Sequence, residues 1–515
     1  MIETELKLQL PAGTGRAEIV ELLSRLQPDG HRRGSRQKLG STYFDTESFS
    51  LKDRGMALRV RETGRRSIQT LKAPAAGRPG LQTYREYEAD LPNGQPSLAL
   101  IGNRTLSTEL RRTVWPRLKP LFRSEINRSL WHLEIEGAQV EMAWDRGFIR
   151  AGDQEEAVNE VELELKSGSP DLLFKAAEEI LEVVPFRLGH LTKAARGYAL
   201  ASGAKPQPAR AAAITLLESD TVATAFEKTV INCLEQMHAN ERAILHDQND
   251  EAIHQFRVAL RRLRATVGSC RRLIDDGVHA MWSVDLRWAQ RSCGPARDLD
   301  VLIDETLTHL LQHSVGDTEL RRFLDMAEEA REDARKQAVQ ALHNPRYAAM
   351  QLQIYWALGD GHWRRPEMTA MLERPVRAFA ESQLQSRYKQ IRRLGDRWAE
   401  LEVADLHRLR ILGKKLRYVA LAYSSLFKSK PTNRFLSRLS DLQDCLGILN
   451  DCVVGRQLAR DIAGMASAPG ALEANELQRI LGMVEGWQVH AVHDRLGQLE
   501  RVWTEFAQAK KFWRM

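Results

Sequence analysis

The sequence predicts an α+β, multidomain chain, strand-rich at first with a few helices and then helical almost to its end. Three observations predict it. Up to residue 165, short runs alternate charged and apolar residues with a period of two. The segment Gly203-Ala204-Lys205-Pro206-Gln207-Pro208 then breaks that period, and its two prolines suit a short extended linker. Beyond it prolines thin out, and stretches such as 317–342 and 372–400 carry 3.6-residue periodicity with mixed charge. The domains expected are 1–203 and 218–512, with 204–217 as linker.

Length and composition agree with this division. A chain of 515 residues is long for a single core. No uninterrupted apolar run reaches membrane-spanning length, so no membrane partner is expected. The first residues are acidic and alternating, which argues against a secretory signal. Five cysteines, an odd number without metal-type spacing, read as reduced thiols in a cytoplasmic protein. The net charge of +7 points to a polyanionic partner without identifying it.

The strand elements carry the chemistry. In Glu3-Thr4-Glu5-Leu6-Lys7 a strand places Glu3, Glu5 and Lys7 on one face and Leu6, with Leu8 and Leu10, on the other. Neighbouring carboxylates repel unless a cation lies between them, and a hard divalent ion accepts that arrangement. A helix is expected near 16–26. Leu58-Arg59-Val60-Arg61 sets two guanidiniums on one face, Thr70-Leu71-Lys72 a hydroxyl beside an ammonium, and Arg85-Glu86-Tyr87-Glu88 two carboxylates. Glu160-Val161-Glu162-Leu163-Glu164-Leu165 repeats the acidic pattern, and a further helix is expected near 171–184. Such strands could be solvated on an outer face with cross-strand ion pairs. Taken together they also supply both parts of a metal–polyanion site: carboxylates for the metal, Arg and Lys for phosphate oxygens.

The helical part repeats itself. His254-x-x-Arg257-x-x-x-Arg261-Arg262-Leu263-Arg264 matches His407-x-x-Arg410-x-x-x-Lys414-Lys415-Leu416-Arg417 at an offset of 153 residues. The same offset links Gly294…Asp298 to Gly447…Asp451. This predicts duplication into pseudo-symmetric halves, 218–370 and 371–512. On a helix, His254, Arg257, Arg261 and Arg264 fall within about 80° of one another, opposite Phe256, Leu260 and Leu263. His407, Arg410, Lys414 and Arg417 do the same. Each helix is thus a packed stripe with a cationic rail. If the rails meet, an anion relieves their repulsion; if not, they are solvated amphipathic faces. The two histidines read as hydrogen-bonding or phosphate-contacting groups, with metal binding a second reading. Nucleic acid is an alternative polyanion, disfavoured by the lack of an aromatic stacking platform.

Two resemblances sharpen these expectations. Glu3-x-Glu5-x-Lys7, Tyr43-Phe44-Asp45-Thr46, Arg59-x-Arg61, Thr70-x-Lys72, Glu86, Arg128, Asp145, Glu160-x-Glu162-x-Glu164 and Lys193-Ala194-Ala195-Arg196-Gly197-Tyr198 resemble, in order, the CYTH domain of the triphosphate tunnel metalloenzymes. The resemblance implies a closed antiparallel barrel with a charged lumen for a linear triphosphate. It implies Mg²⁺ or Mn²⁺ on Glu3, Glu5, Glu160 and Glu162. Phosphate oxygens would lie on Arg59, Arg61, Lys72, Arg128 and Lys193, with Lys7 in a catalytic role and Glu86, Glu88, Asp145 and Glu164 as further tunnel acids. The chain departs from the family two residues before Glu86, where a basic residue is frequent and Tyr84 stands here. Arg85 should face the other way.

Residues 218–512 resemble the CHAD domain, through the two His-Arg motifs, Gly294-Pro295-Ala296-Arg297-Asp298 and Leu442-Gln443-Asp444-Cys445-Leu446-Gly447. That resemblance implies two helical bundles and binding of inorganic polyphosphate by His254, Arg257, Arg261, Arg264, His407, Arg410, Lys414, Lys415 and Arg417. The expectation is an inorganic triphosphatase whose helical domain binds longer polyphosphate. The alternatives are a non-enzymatic polyphosphate-binding protein, or an enzyme for an organic triphosphate: thiamine triphosphate hydrolysis, nucleotide hydrolysis or ATP cyclisation.

Overall fold

The structure is a computed structural model and describes residues 2–27, 34–64, 66–92, 94–314, 316–465 and 472–514. The chain forms two compact units, Met1–Pro206 with Leu342–His362, and Gln207–Ala341 with Trp363–Met515.

In the first unit eight strands close into an antiparallel barrel. They are β1 (Ile2–Gln9), β2 (Ser35–Asp45), β3 (Ala57–Thr63), β4 (Arg66–Pro74), β5 (Gln82–Asp90), β6 (Lys119–Ile135), β7 (Ala138–Ala151) and β8 (Gln154–Ser167). The order is β5-β4-β3-β2-β6-β7-β8-β1, and β5 pairs back onto β1. A two-residue β9 (Arg187–Leu188) continues that edge of β1 where β5 leaves it.

The alternation explains the closure. Leu6 and Leu8 point outward and are buried, while Glu5 and Lys7 point inward. The apolar surface therefore lies outside the barrel, under helices α1 (Arg16–Leu26), α2 (Arg104–Thr113) and α3 (Asp171–Leu181). Leu58, Val60 and Leu71 pack with Leu110 of α2 and with Val114. Each fully buried side chain of this kind contributes about 1.5–3 kcal/mol, so the jacket can stabilise a barrel whose lumen is charged.

Helix α4 (Lys193–Ser202) begins at Thr192, whose hydroxyl accepts the Ala195 N–H at 3.0 Å. It lies against β6, β7 and β8. Gly197 allows the approach, since a Cβ there would sit 2.1 Å from the Phe122 ring. Tyr198 packs edge-on against Phe122 at 5.1 Å, and Phe122 stacks on Tyr43 at 4.5 Å.

The remaining helices are α5 (Val222–Asp247), α6 (Asp250–Ser269), α7 (Asp276–Ser292), α8 (Gly294–Leu302), α9 (Thr308–His313), α10 (Thr318–His343), α11 (Pro345–Asp360), α12 (Thr369–Leu372), α13 (Val376–Gly395), α14 (Val403–Ala422), α15 (Ser429–Met465) and α16 (Ala474–Ala507). The 153-residue offset carries the start of α6 onto α14 and of α7 onto α15. The copies differ at one joint. Pro295, which has no N–H to donate, opens α8 and separates it from α7, whereas Ile448 lets α15 run unbroken through 37 residues. Asn249 caps α6 by accepting the Ala252 N–H at 3.0 Å. The second half packs around Tyr388, Phe435, Trp503, Phe506 and Trp513.

One helix departs from the 218–512 boundary. Helix α11 groups with the barrel unit, where Tyr355 stacks on Phe174 of α3 at 6.5 Å. All five cysteines are buried free thiols, and no helix among the described residues is long and apolar enough to cross a membrane.

Candidate active site

The barrel registers deliver a continuous belt of acidic, basic and phenolic side chains to the lumen. Lys7 is opposite Glu162, Asp145 is opposite both Glu160 and Arg128, Lys72 is opposite Glu86, and Arg59 is opposite Tyr43. The strand order decides which groups oppose which. β3 and β8 are four strands apart in either direction around the ring. Arg59 and Arg61 on β3 therefore face Glu160 and Glu162 on β8 from the opposite wall.

The acidic wall is a compact cluster. Asp145, Glu160 and Glu162 each offer a carboxylate oxygen, all within 4.8 Å of one another. Lys193, delivered by the first turn of α4, reaches all three at 2.6, 2.5 and 3.0 Å. Arg128 forks onto Asp145 at 2.7 and 2.6 Å and reaches Glu162 at 2.6 Å. Lys7 bonds Glu162 and lies 3.0 Å from Glu5. Burial favours the neutral acids, but Lys193, Lys7 and Arg128 outweigh it and hold the Glu162 carboxyl well below its usual range. Burial also raises Asp145, and Lys193 and Arg128 bring it below its usual value. Burial pushes the Lys7 ammonium down, while Glu162, Glu5 and Glu160 carry it well above an ordinary lysine.

The opposite wall has spare positive charge. Arg59 approaches Glu86 only to 3.8 Å, and the Nε atoms of Arg59 and Arg61 have no hydrogen-bond partner among the described residues. Burial, then Arg59 and Arg128, push Arg61 down to about 10. Lys72 bonds Glu3 and lies 2.9 Å from Glu86. One wall thus offers oxygen ligands to a hard cation, and the other offers N–H donors to phosphate oxygens.

The structure sorts the expected residues. Glu160 and Glu162 belong to the carboxylate cluster, joined by Asp145. Glu3 and Glu5 do not join it; each is committed to a lysine, Lys72 and Lys7. Glu164 pairs with Lys166 at 2.6 Å, and Glu88 is exposed and accepts from Thr70 at 3.3 Å. Arg85 is exposed, as its register parity predicts. Three lumen residues lie outside the expected set. Arg196, three residues after Lys193 on α4, bonds Glu156 at 2.6 Å, Glu160 at 3.0 Å and the Ala157 carbonyl at 2.6 Å. Its motif contained the signal, because a spacing of three on a helix puts both cations on one face. Tyr43 and Tyr84 also face the lumen, with Lys72 Nζ 5.6 Å from the Tyr84 ring. Neither is apparent from charge alternation alone.

In the helical unit the two rails do meet. All nine expected residues line one cleft of about 1220 Å³, bounded chiefly by α6, α7, α8, α14 and α15. Eleven lysines and arginines line it against four carboxylates. Arg257 is largely buried and bonds the Cys293 and Gly294 carbonyls and Asp298. Its counterpart Arg410 approaches Asp451 at 3.7 Å, and its Nε has no hydrogen-bond partner among the described residues. Arg264 bonds Gln290, and Arg417 bonds Ser440 at 3.2 Å and Gln443 at 3.3 Å. His254 and His407 join no three-ligand group among the described residues. Burial and then Arg297 push His254 down to about 4, which keeps it neutral.

Residues 1–198 match the CYTH domain and residues 228–460 the CHAD domain. The chain is 31% identical over 211 residues to an inorganic triphosphatase of Haemophilus influenzae, covering 39% of this chain and 55% of that protein. The chain therefore spans about half the length of that relative. An uncharacterized Mycobacterium tuberculosis protein is 26% identical over 462 residues, covering 83% of this chain and 84% of its own. Among solved structures, the CHAD domain of the plant Ricinus communis aligns with a TM-score of 0.51 and 25% identity, over 59% of this chain and 98% of that one.

Proposed function

The chain belongs to the CYTH and CHAD families, and from that premise we propose that its barrel hydrolyses inorganic triphosphate to diphosphate and phosphate with Mg²⁺ or Mn²⁺. The observation that carries this reading is the opposition of the walls, Asp145, Glu160 and Glu162 on one side and Arg59 and Arg61 on the other. Three clustered carboxylate oxygens, with Asp145 and Glu162 held below their usual range, fit a hard divalent ion. Bound at Asp145, Glu160 and Glu162, that ion supplies Lewis-acid polarisation of a phosphoryl oxygen.

The chain's own residues do the rest. Arg59 and Arg61 hold phosphate oxygens and fix the linear chain in the lumen. Lys72 and Arg128 add charge at its flanks. Lys7, held as an ammonium, donates hydrogen bonds and neutralises charge that develops during transfer. It cannot act as a base in that state. Glu162, held strongly acidic, is a weak base and a good ligand. Positioning and charge neutralisation therefore carry most of the rate, as phosphoryl transfer requires. Arg196 fixes the Glu160 carboxylate from behind.

The cleft of the helical unit, we propose, binds inorganic polyphosphate. Its excess of positive charge suits a flexible polyanion, and Tyr418 is its one phenolic or indole ring, too little for a base-stacking platform.

The test is phosphate release from tripolyphosphate, ATP and thiamine triphosphate, each with Mg²⁺ and with Mn²⁺, beside a Glu160→Gln, Glu162→Gln variant. Metal-dependent release from tripolyphosphate that the variant loses supports the reading. Preference for ATP or thiamine triphosphate transfers it to an organic substrate. No turnover of any of the three leaves a polyphosphate-binding protein.

A further inference from the structure

The helical cleft holds more positive charge than its own acids balance. Asp298 is taken by Arg257 at 3.1 Å, and Asp451 lies nearest Arg410 at 3.7 Å. Lys414 stands on α14 one turn beyond Arg410, half-buried in the same cleft. No hydrogen bond or ion pair holds its ammonium among the described residues.

The groups that act on Lys414 come from three helices. Arg257 and Arg261 do so from α6, Arg410 from α14 itself and Asp451 from α15. Further around the cleft lie His254, Arg262 and Arg264 of α6, Arg287 of α7, Arg297 and Asp298 of α8, and Glu305 of the turn that follows it. His407, Lys415 and Arg417 of α14, Asp444 of α15 and Arg495 of α16 complete its charged lining. The Nε atoms of Arg261 and Arg410 are buried without a hydrogen-bond partner among the described residues. Lys414 thus lies in the field of three guanidiniums and chiefly of one carboxylate, Asp451, which already leans on Arg410. Burial, then Arg410 and Arg261, push it down to about 7.

We propose that the cleft takes up a proton together with its polyanion: Lys414 stands as a neutral amine among the guanidiniums of the empty cleft and becomes an ammonium when phosphate oxygens fill it. The inference rests on the reading of the cleft as a polyphosphate site. The proton comes from solvent and adds to the Nζ lone pair, and no other bond changes. Anionic oxygens raise the proton affinity of Lys414, so protons raise the affinity for the polyanion by the same factor. Below pH 7 Lys414 is already an ammonium and affinity is at its full value; above pH 7 binding takes up the proton and affinity falls by up to about tenfold per pH unit.

The test is calorimetric titration of the full chain with linear polyphosphate of defined length. It is run in EDTA, which stops turnover in the barrel, at fixed salt between pH 6.5 and 9. At pH 8 two buffers of different ionisation enthalpy are compared. The wild type should take up close to one proton at pH 8, and its affinity should fall by up to about 50-fold from pH 7 to pH 9. Lys414→Arg, charged throughout that range, should bind at pH 9 nearly as at pH 7 and take up no proton. His254→Gln and His407→Gln, which remove the other titratable groups on the two rails, should keep the wild-type slope. The proposal is overturned if the wild type binds without proton uptake, if Lys414→Arg keeps the slope, or if a histidine variant loses it. If the wild type fails to bind polyphosphate even at pH 6.5, the polyphosphate reading falls instead, and this proposal with it.

Discussion

Replacing Lys193 by methionine removes the ammonium that touches all three carboxylates of the acidic wall. Methionine has a similar length and no charge, so packing changes little. The groups involved are nearly shielded from solvent, with side-chain exposures of 10% for Lys193 and Glu162, 2% for Glu160 and 0% for Asp145. Breaking a buried pair by deleting one partner costs about 3–5 kcal/mol. Here Lys7, Arg128 and Arg196 remain on the same carboxylates, which places the loss at the lower end, about 3 kcal/mol. For a unit of this size that is a fall in Tm of about 6–12 °C in metal-free buffer. Mn²⁺ should then raise the Tm of the variant more than that of the wild type, because no ammonium competes for the three carboxylates. Calorimetry with and without Mn²⁺ measures both effects. A fall below about 2 °C, or equal stabilisation of both proteins by Mn²⁺, would refute the claim that Lys193 holds the acidic wall together and competes with a metal for it.

The other predictions follow from the same lumen and its packing. Arg61→Met should raise Tm by a few degrees in phosphate-free buffer, because it deletes a guanidinium that burial, Arg59 and Arg128 disfavour, while raising KM for tripolyphosphate; thermal melts and steady-state kinetics check the pair of effects. Stability should fall as pH drops through about 6.5, because burial holds His190 and His254 neutral in the fold. It should fall further towards about pH 4, since the depressed Glu162 and Asp145 stabilise the fold above their unfolded values of about 4; the depressed Lys414 should make it rise from about pH 7 towards 10. The raised Lys7 stabilises it below about 10.4 and loses that as pH rises through its folded value, so denaturant titrations across pH should show both shoulders. Gly197→Ala should cost about 1–3 kcal/mol, measured as a shift in denaturation midpoint, because its Cβ would meet the Phe122 ring.

Much of the fold was legible because it follows from periodicity. The alternation in Glu3-Thr4-Glu5-Leu6-Lys7 and Glu160-Val161-Glu162-Leu163-Glu164 is a local property, and it separates lumen from jacket as soon as those segments become strands. The repeated His-Arg motif marks the duplicated helices for the same reason, since a helix face is set by spacing alone. Arg196 follows from the same reasoning, since a spacing of three from Lys193 puts both cations on one helix face.

Which carboxylates gather is a different kind of fact. Glu3, Glu5, Glu160 and Glu162 look equivalent along the chain. Yet Asp145, from a strand with little alternation to mark it, joins the last two, while Glu3 and Glu5 are taken by lysines. Parity along a strand says which face a side chain takes, but only register and strand order say what stands beside it or across from it. The sequence by itself determined the two-part architecture, the charged face of each strand and the two cationic rails. The tertiary structure decided that β3 opposes β8, that α4 delivers Lys193 to three carboxylates, that both rails line one cleft and that helix α11 belongs to the barrel unit. Those outcomes depend on pairings between residues from about thirty to more than a hundred and fifty positions apart, and local pattern carries no record of such pairings.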